Sequence, residues 1–325
     1  MHIPFSAQIR HYEAELAHIG PFKNAGLHSA LTVDPLPLAS LQVKDLRLSL
    51  LRADQLHGVI SGNKWFKLKY NLMAAKQGGH NRLLSYGGAW SNHLHALAYV
   101  GKLLDMPCCG IVRGEELSIH SNPMLEQAHN WGMELQFVSR HQYRRLRGVP
   151  CSSDHNDYRI PEGGDNHLGL MGVTTMMKGV EGDYSHVLTA VGTGCTFAGL
   201  RLALPASVEL IGVSALKGDW QLRQMQQRFA DLGFGAGCTQ SLGPWQLVTD
   251  YHRGGFGRVD VGLIEFCQRL QQEYAIELEP VYTGKSFMAL MDLIEKHRFP
   301  PGSHILFVHS GGLQGNRGYK STTEK

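Results

Sequence analysis

Short apolar segments that end in a glycine turn and lead into a helical pattern recur along this chain, and this alternation most constrains its fold. RLLSYGG precedes SNHLHALAYVGKLL in the first half, and SHVLTAV precedes GTGCT and FAGLRLAL in the second. Strands that alternate with helices predict a parallel sheet with helices on both faces. The rhythm is interrupted by a polar stretch, 140–159, expected to form a helix and a loop. The sequence therefore predicts two doubly wound α/β domains with a cleft between them.

The overall composition excludes several classes of protein. The chain has 325 residues, of which 43% are hydrophobic and 18% charged, so it can bury a core without metals or disulfides. A net charge of only +3 argues against nucleic acid as the main partner. The sequence contains neither C-x-x-C nor H-E-x-x-H, and no metal site is expected. Without a signal-peptide pattern or a membrane-spanning apolar run, a cytoplasmic protein is expected.

The loop from Gly192 to Thr196 is the most informative glycine turn. A buried strand leads through this loop into a helix start, where backbone N–H groups and the helix dipole favour a phosphate group. The dinucleotide fingerprint fails because Phe197 stands where it needs Gly or Ala, and a P-loop at GKS fails because position 279 is Glu. A phosphate site without a nucleotide motif remains, with a purely structural tight turn as the alternative.

The segment SYGGAWSNHLHAL forms a second junction between a strand and a helix. Ser91 or Asn92 is expected at the helix N-cap. Capping alone could explain both residues. The functional interpretation is that free N–H groups at this helix start bind a carboxylate.

The segment SGNKWFKLKYNL carries a candidate nucleophile. Lys64 and Lys67 share one face of the predicted helix. Lys64 follows the turn at Gly62 and Asn63, where the helix dipole disfavours a cation. Lysines in such partly apolar settings have a lowered pKa and become nucleophiles towards aldehydes. The alternative is a solvated basic stripe, but a phosphate site together with a nucleophilic lysine points to pyridoxal phosphate.

With these motifs in place, the chain resembles the 1-aminocyclopropane-1-carboxylate deaminase and D-cysteine desulfhydrase family of fold-type-II pyridoxal-phosphate enzymes. The resemblance rests on SGNKWFKLKYNL, SYGGAWSNHLHALA, IPEGGDNHLGLMG and EPVYTGKSFMAL, and GTGCT and HSGGLQG agree with it. It implies a discontinuous large domain, 1–64 with 159–325, and a small domain, 65–158. It also implies a homodimer that acts on a small amino acid.

Carried over by position, the resemblance assigns roles to individual residues. Lys64 would be the Schiff-base lysine, and Ser91 and Tyr282 the other catalytic residues. The implied cofactor-binding residues are Lys64, Lys67, Asn92, Gly192, Thr193, Gly194, Cys195, Thr196 and Thr283. The implied substrate-binding residues are Ser91, Asn92, His93, Phe256 and Tyr282.

Thr283 separates the two activities of the family. The deaminases resembled here have glutamate at this position, which keeps the pyridine nitrogen protonated; threonine indicates a milder electron sink. This favours D-cysteine desulfhydrase-like α,β-elimination from a small D-amino acid, with release of a 2-oxo acid, ammonia and sulfide. Phe256 stands where the family has a tyrosine. The missing hydroxyl is a further argument against the ring-opening reaction, and it leaves open whether D-cysteine itself is the substrate. Two alternatives remain: a 1-aminocyclopropane-1-carboxylate deaminase, and a catalytically silent module that binds a phosphate ligand. Thr283 could also simply continue a turn.

Overall fold

The computed structural model describes residues 5–38, 41–42, 44–148, 156–234 and 242–320. The strands are β1 (Val33–Pro35), β2 (Arg47–Leu51), β3 (Arg82–Gly87), β4 (Cys108–Arg113), β5 (Met133–Val138), β6 (Asp157–Arg159), β7 (His186–Val191), β8 (Glu209–Ser214), β9 (Trp245–Val248) and β10 (His304–Val308). The α-helices are α1 (Phe5–Ala17), α2 (Gly20–Asn24), α3 (Asn63–Gln77), α4 (Asn92–Leu104), α5 (Pro123–Asn130), α6 (Arg140–Arg147), α7 (His167–Thr174), α8 (Cys195–Ala203), α9 (Trp220–Phe229), α10 (Val261–Tyr274), α11 (Thr283–Glu295) and α12 (Arg317–Lys320).

The chain divides into two compact units. The first consists of Met1–Ser29, Leu56–Val173 and Gln314–Lys325, and the second of Ala30–Gln55 and Thr174–Leu313. The expected small domain, 65–158, lies within the first unit. That unit also takes in residues 1–29, 56–64, 159–173 and 314–325, which the sequence assigned to the large domain.

The first unit contains a four-stranded parallel sheet in the order β5-β4-β3-β6. Helix α1 belongs to this unit because Glu13 accepts hydrogen bonds from Lys69 Nζ at 2.5 Å and from Tyr70 Oη at 2.7 Å. The segment after β6 belongs to it because Asn166 Nδ2 donates to Asn71 Oδ1 at 2.7 Å. Both contacts converge on α3, and they explain why the unit is larger than the sequence predicted.

The second unit contains a six-stranded sheet in the order β1-β2-β10-β7-β8-β9. Its strands are parallel except for β1, which pairs antiparallel with β2 at the edge. Side chains from the central strands and from α11 form its core, including Leu188, Ile211, Phe287 and Phe307. The predicted α/β class with parallel sheets is confirmed, with β1 as an antiparallel addition.

The polar stretch at 140–159 contains the predicted helix, α6, followed by residues outside the described part of the chain and by β6. Ser139 forms a capping box with Gln142 at the start of α6. Among the described residues, no helix combines the length and apolar character needed to cross a membrane.

Candidate cofactor site

The predicted site residues fall into two groups, one in each unit. The first unit contains Lys64, Lys67, Ser91, Asn92 and His93. The second contains Gly192, Thr193, Gly194, Cys195, Thr196, Phe256, Tyr282 and Thr283.

Lys64 is the second residue of α3, as the sequence predicted. The helix starts after Gly62, whose φ of 67° lies in the left-handed region and which provides no side-chain cap. Lys64 is half-buried, and its Nζ donates to Asn63 Oδ1 at 2.6 Å. The residue therefore lies in the first turn of the helix, at the positive end of the helix dipole.

Lys67 and Lys69 of this helix are buried and do not form a solvated stripe. Lys67 is 5% exposed and Lys69 is 4% exposed. Lys69 forms the ion pair with Glu13 that fastens α1, so its role is structural. The solvated-stripe alternative for Lys64 and Lys67 is therefore wrong for Lys67, which remains a candidate anion-binding group.

Helix α3 is held in place from the side by α7. A Cβ atom added to Gly172 would lie 1.8 Å from the carbonyl oxygen of Phe66, so only glycine allows this approach. Phe66 lies between Lys64 and Lys67 in the sequence. The glycines of IPEGGDNHLGLMG therefore fix the backbone that presents both lysines.

The start of α4 carries Ser91 and Asn92. Ser91 is the N-cap residue, and its Oγ accepts from Leu94 N at 3.2 Å. This confirms the predicted N-cap, and it shows that capping already uses the Ser91 hydroxyl oxygen. Asn92 Oδ1 is buried and has no hydrogen-bond partner among the described residues. A buried acceptor of this kind suits a ligand that donates a hydrogen bond.

His93 points into the core of the first unit. Its Nε2 lies 2.8 Å from Ser85 Oγ, and Ser85 Oγ donates to Ile160 O at 2.8 Å. Ser85 has one proton to donate, so it accepts from a protonated Nε2 of His93. Burial and the nearby charges of Lys64 and Lys67 lower the pKa of His93 to about 3. A carboxylate at this helix start would therefore meet the backbone N–H of His93 rather than an imidazolium.

The glycine loop of the second unit follows β7 and opens α8. Gly194 is the N-cap residue with φ of 89°, a left-handed conformation that favours glycine, and it provides no side-chain cap. Thr193 Oγ1 is buried without a hydrogen-bond partner among the described residues. Cys195 and Thr196 are both buried. An uncapped helix start with an unused hydroxyl beside it is suited to a phosphate group.

Tyr282 lies beside this loop, and Phe256 lies next to Tyr282. A Cβ atom added to Gly192 would lie 3.0 Å from Tyr282 Cε1. The ring of Phe256 is centred 5.9 Å from that of Tyr282, and Phe256 is 54% exposed. Lys285 holds the Phe256 loop, because its buried Nζ donates to Gly255 O at 3.0 Å, and burial lowers the pKa of this amine. The sequence reasoning did not identify this contact.

Glu279 is the buried acid that the sequence reasoning missed. Its carboxylate accepts from Tyr282 N at 2.6 Å, Thr283 N at 2.7 Å and Val281 N at 2.9 Å. Thr283 is wholly buried, and its hydroxyl donates to Glu279 O at 3.2 Å. The signal available in the sequence was an acidic residue four positions before a helix start, where backbone N–H groups need acceptors.

Comparison with known proteins gives a consistent result. The family described as "Pyridoxal-phosphate dependent enzyme" matches residues 32–311. A D-cysteine desulfhydrase from Salmonella paratyphi A is 28% identical over 276 residues, which cover 78% of this chain and 83% of that protein. A protein from Pyrococcus abyssi, provisionally named 1-aminocyclopropane-1-carboxylate deaminase, is 27% identical over 292 residues, covering 82% and 84% of the two chains.

A solved structure shares the fold. It is described as an ACC deaminase homologue, and it matches with a TM-score of 0.78 and 22% identity, covering 94% of this chain and 98% of that one. A fungal L-serine ammonia-lyase from Rhizomucor miehei matches with a TM-score of 0.63 and 14% identity, covering 88% and 94%.

The residues present fit pyridoxal phosphate. The uncapped start of α8 and the unused hydroxyl of Thr193 suit its phosphate, the amine of Lys64 suits its aldehyde, and the buried Asn92 Oδ1 suits its ring hydroxyl. Among the described residues, no group of His, Cys, Asp and Glu side chains could hold a metal ion.

Proposed function

Since this chain belongs to the family of pyridoxal-phosphate-dependent enzymes, whose cofactor it shares, we propose that it removes ammonia and a β-substituent from a small D-amino acid. D-cysteine is the reference substrate. D-cysteine and one water would give pyruvate, hydrogen sulfide and ammonia, and no oxidant is consumed. The names of the relatives support the reaction class, and both the desulfhydrase and the deaminase names occur among them.

The proposal assigns a distinct task to each residue. Lys64 would hold the cofactor through its aldehyde, and its amine, when free, would accept the α-proton of the substrate. Lys67 and the loop from Gly192 to Thr196 hold the phosphate. The N–H groups at the start of α4 receive the substrate carboxylate, with Ser91 beside it. When bound, the cofactor ring withdraws electrons from the substrate amine and thereby makes the α-proton acidic.

The observation that carries the choice of elimination is the side chain at position 283. Thr283 is neutral and wholly buried, and its one hydroxyl proton is donated to Glu279 O. It supplies no charge that would keep a pyridine nitrogen protonated. A ring without that proton is a weaker electron sink, which is sufficient to lose a good β leaving group but is poorly suited to opening a cyclopropane ring.

The first test is a visible absorption spectrum of the cofactor-loaded protein before and after addition of D-cysteine, with pyruvate and sulfide measured in parallel. We expect a yellow band that changes on addition, and equal amounts of the two products. Lys64→Ala should lower the rate by at least about a thousandfold, because the covalent attachment and the base are both lost. Lys76→Ala, an exposed lysine on the same helix, is the matched control and should leave the rate unchanged.

The outcomes separate the candidate functions. A higher kcat/KM for 1-aminocyclopropane-1-carboxylate than for D-cysteine would replace the proposal by the deaminase. A yellow protein that turns over neither these substrates nor other D-amino acids with β leaving groups would indicate a catalytically silent module. Retained turnover in Lys64→Ala would contradict the assignment of the lysine.

A further inference from the structure

We infer that Gln221 is a positioning residue that fixes the glycine loop in the orientation needed for the cofactor phosphate. Gln221 lies on α9, which follows β8, whereas the loop follows β7. The two strands are parallel neighbours in the sheet of the second unit. The sequence analysis did not mark this helix as part of the site.

Gln221 is wholly buried and uses both ends of its amide. Its Nε2 donates to Gly192 O, and its Oε1 accepts from Ser214 Oγ at the end of β8. The one proton of Ser214 Oγ is shared with Leu216 O. Only this amide orientation satisfies both contacts, because Gly192 O is an acceptor and needs a donor. Leu216 N donates to Ser214 Oγ at 3.1 Å and so holds the serine in turn. The amide is therefore a fixed bridge between the ends of two adjacent strands.

The contact matters because it fixes the direction of a peptide plane. In a trans peptide, the carbonyl of one residue and the N–H of the next point in opposite directions. Holding Gly192 O towards α9 therefore aims Thr193 N–H away from α9. A flip of this peptide would replace a donor by a carbonyl oxygen, which repels phosphate. Glycine at position 192 makes such a flip sterically inexpensive, so the loop needs an external restraint.

The same helix and a neighbouring side chain complete the restraint. A Cβ atom added to Gly194 would lie 2.2 Å from Met225 Cε, one turn further along α9. Tyr282 lies against Gly192. Gln221 thus provides the directional part of a support in which Met225 and Tyr282 provide the packing.

The test measures cofactor binding without substrate. The dissociation constants of pyridoxal phosphate and of pyridoxal, which lacks the phosphate, are determined for wild type, Gln221→Met and the matched control Gln224→Met. Gln224 is an exposed residue on the same helix. Gln221→Met should weaken pyridoxal phosphate at least about tenfold and pyridoxal less than about twofold. Gln224→Met should change neither constant by more than about twofold.

A second variant keeps the test decisive should Gln221→Met fail to fold. Gln221→Glu places a carboxylate against Gly192 O at high pH, whereas the protonated acid can still donate to that carbonyl. Burial raises the pKa of such an acid. The loss of pyridoxal phosphate affinity relative to wild type should therefore shrink between pH 8 and pH 5.5.

Equal weakening of both ligands by Gln221→Met, or a pH-independent loss in Gln221→Glu, would overturn the inference, because a general structural defect does not distinguish the phosphate. Since no substrate is present, these results are independent of whether the proposed elimination is correct.

Discussion

At the scale of single residues, His93 shows how a position expected at the substrate acquires its properties from the core. Its imidazole is bound to Ser85, and Nδ1 is buried without a partner among the described residues. Because its pKa is lowered to about 3, the ring stays neutral at any pH at which the protein would work. Any part that His93 takes in binding a carboxylate therefore belongs to its backbone N–H.

The depressed pKa of His93 predicts a specific loss of stability in acid. In the unfolded chain, His93 takes up a proton below the ordinary histidine pKa of 6.5. In the folded chain, His93 stays neutral until about pH 3. Stability is therefore complete above pH 6.5 and falls as the pH is lowered towards 3, by up to about 1.4 kcal/mol per pH unit for this group. We expect His93→Gln to reduce the slope of the unfolding free energy of the apoprotein between pH 6 and pH 4 in urea titrations. His129→Gln, an exposed control, should not; equal slopes for all three proteins would contradict this account.

The same scale shows what the sequence could and could not predict. Ser91 was identifiable because an N-cap is a local pattern of residue types. Gln221 was not, because its partner Gly192 lies 29 positions away and only the pairing of β7 with β8 brings them together. Glu279 was visible only as a reason to reject a P-loop, since its function is to accept backbone N–H groups of a turn that contains Pro280.

At the scale of elements, the lysine helix α3 is positioned by backbone contact rather than by side-chain packing alone. The approach of Gly172 to the Phe66 carbonyl joins α7 to the turn of α3 that carries Lys64 and Lys67. Residue pattern identified the motif IPEGGDNHLGLMG only through resemblance. The structure shows the physical role of this motif: Gly172 leaves space on α7 for the backbone of α3 at Phe66.

Gly172→Ala should loosen this helix pair. The added methyl group would overlap the Phe66 carbonyl, and the cost of overpacking, about 1–3 kcal/mol, should exceed the gain of up to about 1 kcal/mol from replacing glycine within a helix. We expect a lower urea midpoint for the apoprotein and weaker cofactor loading. The control is Gly58→Ala, whose Cβ would have nothing within 4 Å. A midpoint for Gly172→Ala equal to that of wild type would show that the backbones separate at no cost.

Regular elements were predictable where periodicity was strong and were missed where strands were short or at an edge. The segments RLLSYGG and SHVLTAV predicted β3 and β7. The sequence analysis did not predict β1, β6 and β9, which have three or four residues each, too few for an alternating pattern to stand out. It also did not predict β2. The antiparallel pairing of β1 with β2 depends on tertiary contact and has no local signal.

At the scale of the whole molecule, the predicted site residues are divided between two units that are each assembled from separate parts of the chain. The first unit contains Lys64 and the helix start at Ser91, and the second contains the glycine loop. The sequence predicted two domains, but the contacts of α1 and α7 with α3 move their boundaries. Such boundaries depend on contacts such as Glu13 with Lys69, which lie 56 positions apart.

Because the phosphate and the aldehyde are assigned to different groups of residues, their contributions to stability should be separable. A ligand that binds only the folded state at about 100 times its Kd adds about 2.7 kcal/mol. We expect pyridoxal phosphate to raise the unfolding midpoint of wild type, and pyridoxal at the same concentration to raise it less. In Lys64→Ala, pyridoxal phosphate should retain part of its effect through the glycine loop, whereas pyridoxal should lose nearly all of its effect. Pyridoxal also reacts with exposed lysines and so controls for attachment outside the site. Equal stabilisation of wild type by the two compounds would mean that the loop from Gly192 to Thr196 does not hold the phosphate.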